Sequence, residues 1–498
     1  MTLKNLINIL PDSTVTGELA SPITGITSDS RKVVSGSIFV CISGEEHDGA
    51  DYIQSALKQG AVAIVSEKVV ANSWDESVSY IQVSDARAAL AALACAWNAH
   101  PSAKMKVIGI TGTNGKTTTS YIAHAIMNDV WRRAGLLGTV VVDDGEEKHE
   151  ATHTTPGAVE LQSTLATMLG NDCRGVAMEI SSHAIEQKRV DGLELDVAVF
   201  TNLSQDHLDY HGSMNKYFRA KCRLFEMLGN QSGNKKTTAV INLDDDYGQK
   251  LKEEFDGELY FLTYGHGVHA DVRIGRTIQN VRGTEFELTY KEKQYRVSTP
   301  YIGRFNVSNC VAAFSACIAV GINARDCIKA LANVPQVPGR MENIGSRDGA
   351  SLFVDYAHTP DAVEKACAAL KELNPRRLIT VFGCGGDRDE TKRPLMGQVA
   401  AKGSDICIVT TDNPRSEDPA LIVKHIEKGM SEAQYEVILN RDEAIQTAVN
   451  ISGEGDIILV AGKGHETYQE VKGQRLPFDD RRSAYKALNL KKAPTPSE

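Results

Sequence analysis

A short apolar strand that leads directly into a glycine-rich turn and a lysine is the feature that most restricts the fold of this chain. The apolar run covers residues 106–110, and the sequence TGTNGKTT follows at residues 111–118. A strand, a glycine turn and the start of a helix in this order are typical of a parallel α/β sheet. The order predicts that an α/β domain begins at this strand.

The same turn is suited to binding a polyphosphate. Glycines let backbone N–H groups approach an anion, Lys116 supplies a mobile charge, and Thr117 can bind Mg²⁺ at a helix N-terminus. The spacing departs from the standard Walker A pattern by one residue, because Ile110 stands where that pattern has a glycine. A turn that binds nothing would explain the glycines but not the sequence Gly-Lys-Thr-Thr. We therefore expect ATP or GTP to contact Gly112, Thr113, Asn114, Gly115, Lys116, Thr117 and Thr118.

The length of the chain and its pattern of apolar runs indicate three domains. The chain has 498 residues, and domains average about 150 residues. Strand-like and helix-like runs alternate in residues 1–102, which predicts a small α/β domain. Residues 103–335 hold the phosphate loop and, at 271–298, an alternation that predicts antiparallel strands appended to a parallel sheet. Strands and helices alternate again in residues 336–498, which predicts a Rossmann-like domain.

Composition and charge restrict the partners of the chain. The formal net charge is −10, which argues against nucleic acid or an anionic membrane as the main partner. Ten cysteines occur without a C-x-x-C pair, as expected for reduced thiols. No apolar run is long enough to span a membrane, and the N-terminus lacks the pattern of a signal peptide. We expect a cytoplasmic monomer with small-molecule substrates.

Two further residues are candidates for binding the metal of a bound nucleotide. The buried-type strand at 175–179 ends in Glu179, where a carboxylate could bind Mg²⁺. The strand at 196–201 leads toward His207, which should emerge at the same edge of the sheet. His211 lies four residues further on, but the segment around it has the composition of a loop. A lone histidine is more often a plain hydrogen-bonding residue than a metal ligand.

A lysine on the apolar face of a predicted helix is harder to interpret. The helix covers residues 214–227, and Lys221 lies on the same face as Tyr217, Leu224 and Phe225. The lysine could extend to solvent or pair with an acid. A lysine desolvated beside other cations instead becomes neutral more easily, and a neutral amine can take up CO₂ to form a carbamate that binds a second Mg²⁺. The spacing leaves both interpretations open.

These segments resemble the ATP-dependent Mur ligase family of peptidoglycan synthesis. The resemblance rests first on TGTNGKTT (111–118), AMEISSH (177–183), FTNLSQDHLDYHG (200–212) and YFRAKC (217–222). Later segments extend it over all three predicted domains: GRFNVSNCVAA (303–313), VPGRME (337–342), DYAHTPDA (355–362), GCGGDRDETKRPLM (383–396), TTDNPR (410–415) and GKGHE (462–466). The family's own phosphate loop has the same unusual spacing. The chain most resembles the members that add the third residue of the stem peptide.

The resemblance implies a reaction. ATP would phosphorylate the D-Glu side-chain carboxylate of UDP-MurNAc-L-Ala-D-Glu, and the amine of meso-2,6-diaminopimelate would then displace phosphate from the acyl phosphate. It also implies that Lys116, Glu179, His207 and Lys221 are catalytic. Thr117 and Glu179 would bind one Mg²⁺, and His207 with Lys221, modified to N6-carboxylysine, would bind a second.

The remaining ligands are likewise implied by the resemblance, residue by residue. The uridine nucleotide would contact Ser28, Ser30, Glu45, Glu46 and His47. The muramoyl-dipeptide would contact His153, Thr154, Thr155, Ser181, Gln187 and Arg189, although many relatives have Asn in place of His153. Adenosine or the γ-phosphate would contact Asn306, Asn309, Arg340, Asp355, Tyr356 and His358. Each of these last residues could instead serve an ordinary helix cap or turn.

Polar residues at the ends of predicted strands suggest an amino-acid site in the last domain. They are Arg388, Asp412, Asn413, Pro414, Arg415, Gly462 and Glu466. Arginine suits a carboxylate and glutamate suits an ammonium, so the set is suited to a zwitterion. Diaminopimelate has an amino-acid group at both ends, whereas lysine would leave an arginine without a partner. The segment DNPR also matches the family's diaminopimelate motif.

Other functions stay open from the sequence. The nearest are the same reaction with L-lysine, or another amide ligase of the superfamily such as a folylpolyglutamate synthase. A phosphate-loop NTPase that acts as a switch would turn over ATP without an amino acid. A binding protein that has lost catalysis would ordinarily lack one of the phosphate or metal residues, but Lys116, Thr117, Glu179, His207 and Lys221 are all present.

Overall fold

The structure is a computed structural model, and it describes residues 2–10, 12–19, 21–44, 47–68, 77–231, 233, 235–430 and 433–489. Its contacts divide the chain into two compact units. The first consists of Met1–Arg273 and Val311–Ala330, and the second of Ile274–Cys310 and Leu331–Glu498.

The first unit begins with a five-stranded sheet. Its strands are β1 (Thr14–Thr16), β2 (Gly25–Thr27), β3 (Ser37–Val40), β4 (Ala61–Ser66) and β5 (Ser79–Gln82), in the order β1-β5-β4-β3-β2. The pairs from β2 to β5 are parallel, and β1 is antiparallel to β5. The helices are α1 (Leu3–Ile7), α2 (Ile53–Lys58) and α3 (Ala86–Trp97), with short 3-10 turns at Ser30–Lys32, Gly49–Tyr52 and Pro101–Lys104. Every residue of the interior strand β3 is buried, as expected for a parallel strand covered on both faces.

A larger sheet follows in the same unit. Its strands are β6 (Lys106–Thr111), β7 (Gly135–Leu137), β8 (Val141–Asp143), β9 (Lys148–Glu150), β10 (Gly175–Glu179), β11 (Val197–Phe200), β12 (Thr238–Asn242), β13 (Phe261–Gly265) and the start of β14 (Val272–Asn280). The order is β14-β13-β12-β11-β6-β10-β7-β8-β9, parallel from β14 to β7 and antiparallel beyond it. The helices are α4 (Lys116–Trp131), α5 (Ala158–Gly170), α6 (Ser182–Glu186), α7 (Leu208–His211), α8 (Met214–Asn230) and α9 (Asp246–Glu254).

The sheet order brings the predicted site residues to one edge. Strand β6 lies between β10 and β11, and all three run parallel, so the phosphate loop, Glu179 and Thr201 share the carboxyl edge. One local prediction is wrong: the segment interpreted as a loop contains a helical turn, α7, between His207 and Gly212.

The second unit contains a hairpin and a six-stranded sheet. The hairpin is β15 (Gly283–Tyr290) with β16 (Lys293–Thr299). Helix α10 (Arg304–Ala319) begins in this unit, but from Val311 onward it belongs to the first unit, as does α11 (Ala324–Leu331) up to Ala330. The sheet comprises β17 (Glu342–Arg347), β18 (Ala350–Asp355), β19 (Leu378–Phe382), β20 (Ile406–Val409), β21 (Tyr435–Val437) and β22 (Ile457–Ala461), in the order β17-β18-β22-β19-β20-β21. The strands are parallel except β17. A last hairpin pairs β23 (Tyr468–Val471) with β24 (Gln474–Pro477), and the helices are α12 (Pro360–Lys371), α13 (Lys392–Gly403), α14 (Pro419–Glu427), α15 (Arg441–Ile451) and α16 (Asp480–Ala487).

The predicted fold class is confirmed: three α/β regions, the middle one a mainly parallel sheet and the last a parallel sheet of Rossmann type. The domain boundaries at 102/103 and 335/336 stay predictions, since the contacts join the first two sheets into one unit. Within the described ranges, no helix combines the length and apolar character that crossing a membrane requires.

Candidate active site

The phosphate loop between β6 and α4 depends on two glycines. Gly112 has φ 150°, and a Cβ there would lie 1.9 Å from Thr201 Oγ1. Gly115 has φ 86° and immediately precedes the first residue of α4, Lys116. Both backbone conformations favour glycine, and the first position also lacks space for a side chain. The glycines therefore allow the loop to pack against the end of β11 and turn directly into the helix.

The loop is held in place by the segment that follows β11. Thr113 N donates to Asn202 O at 2.9 Å, and Asn114 N donates to Asn202 Oδ1 at 3.0 Å. Thr201 Oγ1 donates to Asn114 O at 2.7 Å. These bonds fix the loop backbone from one side, so its conformation is set by the protein itself.

Two lysines meet at this loop. Lys116 Nζ donates to the carbonyl oxygens of Gly112 at 3.0 Å and Thr113 at 2.9 Å, and Lys221 Nζ donates to the same Gly112 oxygen at 2.9 Å. Lys221 is buried, with 1% of its surface exposed, and its Nζ lies 4.5 Å from the centre of the Tyr217 ring. Burial lowers the pKa of Lys221 well below its usual value, and the charge of Lys116 lowers it further. Lys221 therefore does not extend to solvent, and its burial beside the loop favours the neutral form of the amine.

Glu179 connects the phosphate loop to a third strand. It ends β10, is 1% exposed, and accepts a hydrogen bond from Thr117 Oγ1 to Oε2 at 2.8 Å. Thr139, which follows β7, donates from its N to Oε1 at 2.6 Å and from its Oγ1 to Oε2 at 3.2 Å. The sequence analysis missed Thr139, although a Gly-Thr pair directly after a strand was a signal that could have found it. The carboxylate is thus fixed by two threonines at the carboxyl edge of the sheet.

His207 lies beside the loop and His211 lies below the surface. His207 precedes α7 with φ 52°, and its ring packs edge-on against His183 and Tyr217 at centroid distances of 4.9 and 6.2 Å. The Tyr217 hydroxyl oxygen also lies 3.2 Å from Thr113 Oγ1, so the ring cluster contacts the phosphate loop. His211 is buried, with Nε2 2.9 Å from Ser182 Oγ and its ring stacked on Tyr217. His211 therefore packs inside the fold, and His183 is a neighbour that the sequence analysis missed.

Several predicted dipeptide residues form one hydrogen-bonded network next to Glu179. Thr155 Oγ1 donates to Glu179 O at 2.9 Å and accepts from Ser181 N at 3.1 Å. Arg189 donates to Thr155 O at 3.0 Å from Nη1 and to Gln187 Oε1 at 2.6 Å from Nη2. Thr139 Oγ1 lies 3.1 Å from Thr154 Oγ1. His153 is exposed, with its Nδ1 3.1 Å from Thr152 Oγ1.

The predicted uridine residues lie at the carboxyl edge of the first sheet. Ser28 and Ser30 follow β2, and His47 follows the neighbouring parallel strand β3. Ser30 O accepts a hydrogen bond from Gln59 Nε2 at 2.9 Å, and the rings of His47 and Tyr52 pack edge-on at 6.4 Å. Glu45 and Glu46 lie outside the described residues.

The residues predicted to contact adenosine or the γ-phosphate lie in the second unit. In α10, Asn309 Nδ2 donates to Asn306 Oδ1 at 3.1 Å, and Asn306 Nδ2 donates to Ile302 O at 2.9 Å. Arg340 lies over the Tyr356 ring at 4.3 Å, and His358 Nδ1 lies 2.8 Å from Tyr356 O. Asp355 accepts from Met341 N at 2.6 Å and Ala357 N at 2.9 Å, and burial raises its pKa. His465, which packs 5.1 Å from Tyr356, was missed.

The predicted amino-acid residues converge at the carboxyl edge of the last sheet. Glu466 Oε2 accepts from Asn413 Nδ2 and from Lys463 Nζ, both at 2.9 Å, and Lys463 Nζ also donates to Asn413 Oδ1 at 2.9 Å. Lys463 is fully buried and was missed by the sequence analysis.

Two arginines flank one glycine at this edge. A Cβ at Gly385 would lie 3.0 Å from Arg415 Nη1 and 3.9 Å from Arg388 Cγ. Arg415 donates to Gly386 O at 2.6 Å and lies 3.4 Å from Glu470 Oε2. Pro414 and Asp412 complete the turn, since a Cβ at Gly386 would meet Pro414 O at 2.0 Å and one at Gly462 would meet Asp412 Oδ2 at 2.6 Å. The edge therefore presents cationic groups next to a fixed carboxylate.

Comparison with known proteins identifies the family. Three family models match consecutive parts of the chain: Mur ligase family, catalytic domain (residues 22–98), Mur ligase middle domain (110–317), and Mur ligase, glutamate ligase domain (339–464). A protein of Syntrophomonas wolfei is 40% identical over 494 residues, which cover 99% of this chain and 100% of that protein. The chain belongs to the Mur ligase family.

Further relatives have the same name as the first. The Syntrophomonas protein is called UDP-N-acetylmuramoyl-L-alanyl-D-glutamate--2,6-diaminopimelate ligase, and a protein of that name from Geobacillus thermodenitrificans is 42% identical over 98% of this Mur ligase and 99% of its own length. A solved structure with the same name has 33% sequence identity and a TM-score of 0.71, and covers 98% of this chain and 99% of its own. The similarity therefore extends over the whole described fold of this Mur ligase.

Proposed function

We propose that this Mur ligase joins meso-2,6-diaminopimelate to the D-Glu side-chain carboxylate of UDP-MurNAc-L-Ala-D-Glu, at the cost of ATP, in peptidoglycan precursor synthesis. The observation that carries the proposal is the continuous chain of contacts Thr117–Glu179–Thr155–Arg189. It joins a phosphate-binding loop to a network with a half-buried arginine that suits a carboxylate. The names of the full-length relatives supply the identity of the substrates.

ATP binds through the loop at residues 112–118 in this proposal. Backbone N–H groups and the positive end of α4 attract the phosphates. Lys116 leaves the carbonyl oxygens of Gly112 and Thr113 and turns to the β- and γ-phosphates. Asn306, Asn309, Arg340, Asp355, Tyr356 and His358 are proposed for the adenosine or γ-phosphate side.

The residues around Glu179 fit Mg²⁺. The Thr117 hydroxyl and the Glu179 carboxylate lie 2.8 Å apart, and both are the oxygen donors that Mg²⁺ prefers. Thr117 and Glu179 would be the residues of this chain that hold the ion. When bound, Mg²⁺ neutralises charge on the transferred phosphoryl group.

Lys221 carries the proposed modification. The neutral form of its amine forms a bond to the carbon of CO₂ and releases a proton to solvent, which gives N6-carboxylysine with one negative charge shared by two oxygens. Such a carbamate and His207 would hold a second Mg²⁺ near the acyl phosphate. The support is the burial of Lys221 beside the phosphate loop and the lowered pKa of its amine.

The chemistry consists of two displacements that the protein positions. The D-Glu carboxylate attacks the γ-phosphorus of ATP, ADP leaves, and an acyl phosphate forms. The amine of diaminopimelate then attacks the acyl carbon, and phosphate leaves from the tetrahedral intermediate. Arg189, Gln187, Thr154, Thr155 and Ser181 orient the dipeptide carboxylates, so that catalysis comes mainly from positioning and charge neutralisation.

Residues at the carboxyl edge of the last sheet select diaminopimelate in this proposal. Arg388 and Arg415 bind the carboxylate of the distal amino-acid group, and Glu466 with Asn413 accepts its ammonium. Lysine would supply the ammonium alone and would give the two arginines no carboxylate to bind. For the chain as a whole we propose domain boundaries at 102/103 and 335/336 and a cytoplasmic monomer.

The test is phosphate release from ATP by the purified protein with UDP-MurNAc-L-Ala-D-Glu and either meso-diaminopimelate or L-lysine, with mass spectrometry of the product. We expect turnover and a tripeptide product only with diaminopimelate. Turnover with lysine would keep the ligase and remove the proposed role of Arg415. Turnover without any acceptor would indicate an NTPase instead.

A further inference from the structure

Arg87 has no role in the site described so far, yet it contacts one part of that site and approaches another. It lies in the first turn of α3, two residues after the capping residue Asp85. Its Nη2 donates to Ser43 O at 2.9 Å. Ser43 follows β3 and belongs to the same loop as His47, one of the proposed uridine residues. The guanidinium is therefore anchored to the uridine side of the site.

The same helix end also contacts the dipeptide side. Asp85 forms an ion pair with Lys188, the residue before Arg189. The guanidinium of Arg189 itself donates to two neutral oxygens, Gln187 Oε1 and Thr155 O. Burial lowers the pKa of Arg189, and the positive charge of Arg87 lowers it further. The two guanidiniums thus lie within electrostatic reach of each other, an arrangement that a bound anion would stabilise.

The covalent order of the substrate decides which anion this is. In UDP-MurNAc-L-Ala-D-Glu the diphosphate stands between the uridine and the muramoyl group. Arg87 contacts the loop proposed for the uridine, and Asp85, two residues before it, pairs with Lys188 next to the network proposed for the dipeptide. We propose that Arg87 binds the diphosphate of the nucleotide-sugar substrate, an inference that rests on the proposed function.

The geometry of arginine supports this role. A guanidinium has five N–H donors in a planar fork that matches phosphate oxygens. In the described part of the chain, Nη2 of Arg87 is bonded to a neutral backbone oxygen, Ser43 O, so this bond does not cancel the charge of the guanidinium. The anchor to Ser43 O sets its direction before the substrate arrives.

Two other roles of Arg87 predict different results. A purely structural role, in which Arg87 only holds the loop at Ser43, would weaken binding of uridine and of UDP alike. A contact with a carboxylate of the muramoyl-dipeptide would weaken binding of the whole substrate but leave UDP unaffected. The diphosphate contact weakens UDP and the whole substrate, and leaves uridine unaffected.

The experiment compares the full-length wild type with Arg87→Gln, which removes the charge but keeps an N–H donor for Ser43 O. Titration calorimetry gives the Kd of UDP-MurNAc-L-Ala-D-Glu. Competition experiments, in which UDP or uridine displaces this substrate, give the Kd values of UDP and uridine. We expect Arg87→Gln to bind the substrate and UDP roughly tenfold to a hundredfold more weakly, with uridine and ATP unchanged. Arg87→Lys, which keeps the charge, should recover part of the affinity.

The matched control is Arg174→Gln. Arg174 is exposed and lies over the Trp131 ring, just before the start of β10 and thus at the opposite edge of the sheet from Glu179. The Arg174→Gln variant should bind every ligand as tightly as the wild type does. For each variant, an unchanged affinity for ATP shows that the protein is folded.

Three results would overturn the inference. Equal weakening of uridine and UDP would assign Arg87 a structural role, and unchanged UDP with a weakened substrate would assign it to a carboxylate. Wild-type affinity of Arg87→Gln for all three ligands would remove it from the site. A wild type that binds ATP but neither the substrate nor UDP would instead remove the proposed function, and this inference with it.

Discussion

The carboxyl edges of the two large sheets hold the proposed ligand-binding residues in the same topological position, but their charged side chains have different partners. At the phosphate loop, Lys116 and Lys221 both donate to one backbone carbonyl, that of Gly112. At the last sheet, Lys463 is opposed by Glu466, and Arg415 lies beside Glu470. At the first edge the two lysine amines are held by a backbone oxygen, whereas at the second edge Lys463 and Arg415 each lie beside a carboxylate.

The difference teaches what each edge can bind. Backbone oxygens hold Lys116 in place without cancelling its positive charge, which would attract a polyphosphate. Paired charges present both signs at fixed positions, which suits a zwitterion and disfavours a ligand that has only one sign. Replacing a lysine should therefore change the enzyme kinetics differently at the two edges.

The largest effect is expected at the phosphate loop. Lys221→Ala should lower kcat by roughly a thousandfold, because it removes both the buried amine and the carbamate proposed to form on it. A short carboxylic acid added to the assay should restore part of the activity, since it supplies the missing carboxylate. The measurement is steady-state phosphate release.

The matched control for this prediction is Lys216→Ala. Lys216 lies on the same helix, α8, but is exposed, so its loss should leave turnover unchanged. Wild-type activity of Lys221→Ala would contradict the account of this edge.

A smaller effect is expected at the last sheet. Lys463→Met should raise the KM for diaminopimelate roughly tenfold and leave the KM for ATP unchanged. The reason is that Lys463 holds both Glu466 and Asn413, and without it these two acceptors lose their fixed positions. If the KM for ATP rose as much as that for diaminopimelate, Lys463 would have a general structural role rather than a local one.

The smallest effect is expected on the stability of the fold, at a residue outside the candidate active site. Asp456 is buried and accepts hydrogen bonds from Arg376 and Arg377 at 2.6–2.8 Å. Although burial alone would raise its pKa, the two arginines hold it well below its usual range. Asp456→Asn should therefore lower the free energy of unfolding by about 2 kcal/mol at pH 7, with ligand KM values unchanged.

The pH dependence of this effect has a definite sign. The unfolded chain takes up a proton at Asp456 near pH 4, whereas the folded chain keeps the carboxylate ionised to lower pH. The stabilisation is thus complete above pH 4 and is lost as the pH falls further. Urea unfolding should give a smaller difference between wild type and Asp456→Asn at pH 2.5 than at pH 7. An equal difference at both values would show that the ion pairs contribute nothing.

Much of the first edge could be predicted because its residues follow strands directly. Thr117, Glu179 and His207 each come at or just after a strand end, and parallel neighbours place such residues together. Thr139 was missed because it reaches Glu179 only if β7 lies next to β10. The order of strands in a sheet cannot be predicted from the local sequence. The turn α7 was missed because four residues give too short a period to recognise.

The second edge shows a further limit of sequence reasoning. Glu466 and the two arginines were predicted from their charges, but Lys463 was read only as part of a motif. Its burial and its bonds to Asn413 and Glu466 depend on the packing of the turns after β20 and β22. For the same reason, the apolar pattern of α8 left open whether Lys221 is exposed or buried. The hydrogen bond from Lys221 to Gly112 O shows that its amine lies at the phosphate loop.

The most direct test of the central claim is the fate of the substrate oxygen. UDP-MurNAc-L-Ala-D-Glu labelled with ¹⁸O in the D-Glu side-chain carboxylate is incubated with the protein, ATP and meso-diaminopimelate, and the released phosphate is analysed by mass spectrometry. Because the carboxylate attacks the γ-phosphorus, one ¹⁸O atom should appear in each phosphate. Phosphate free of ¹⁸O, with tripeptide product formed, would contradict an acyl phosphate built at the phosphate loop.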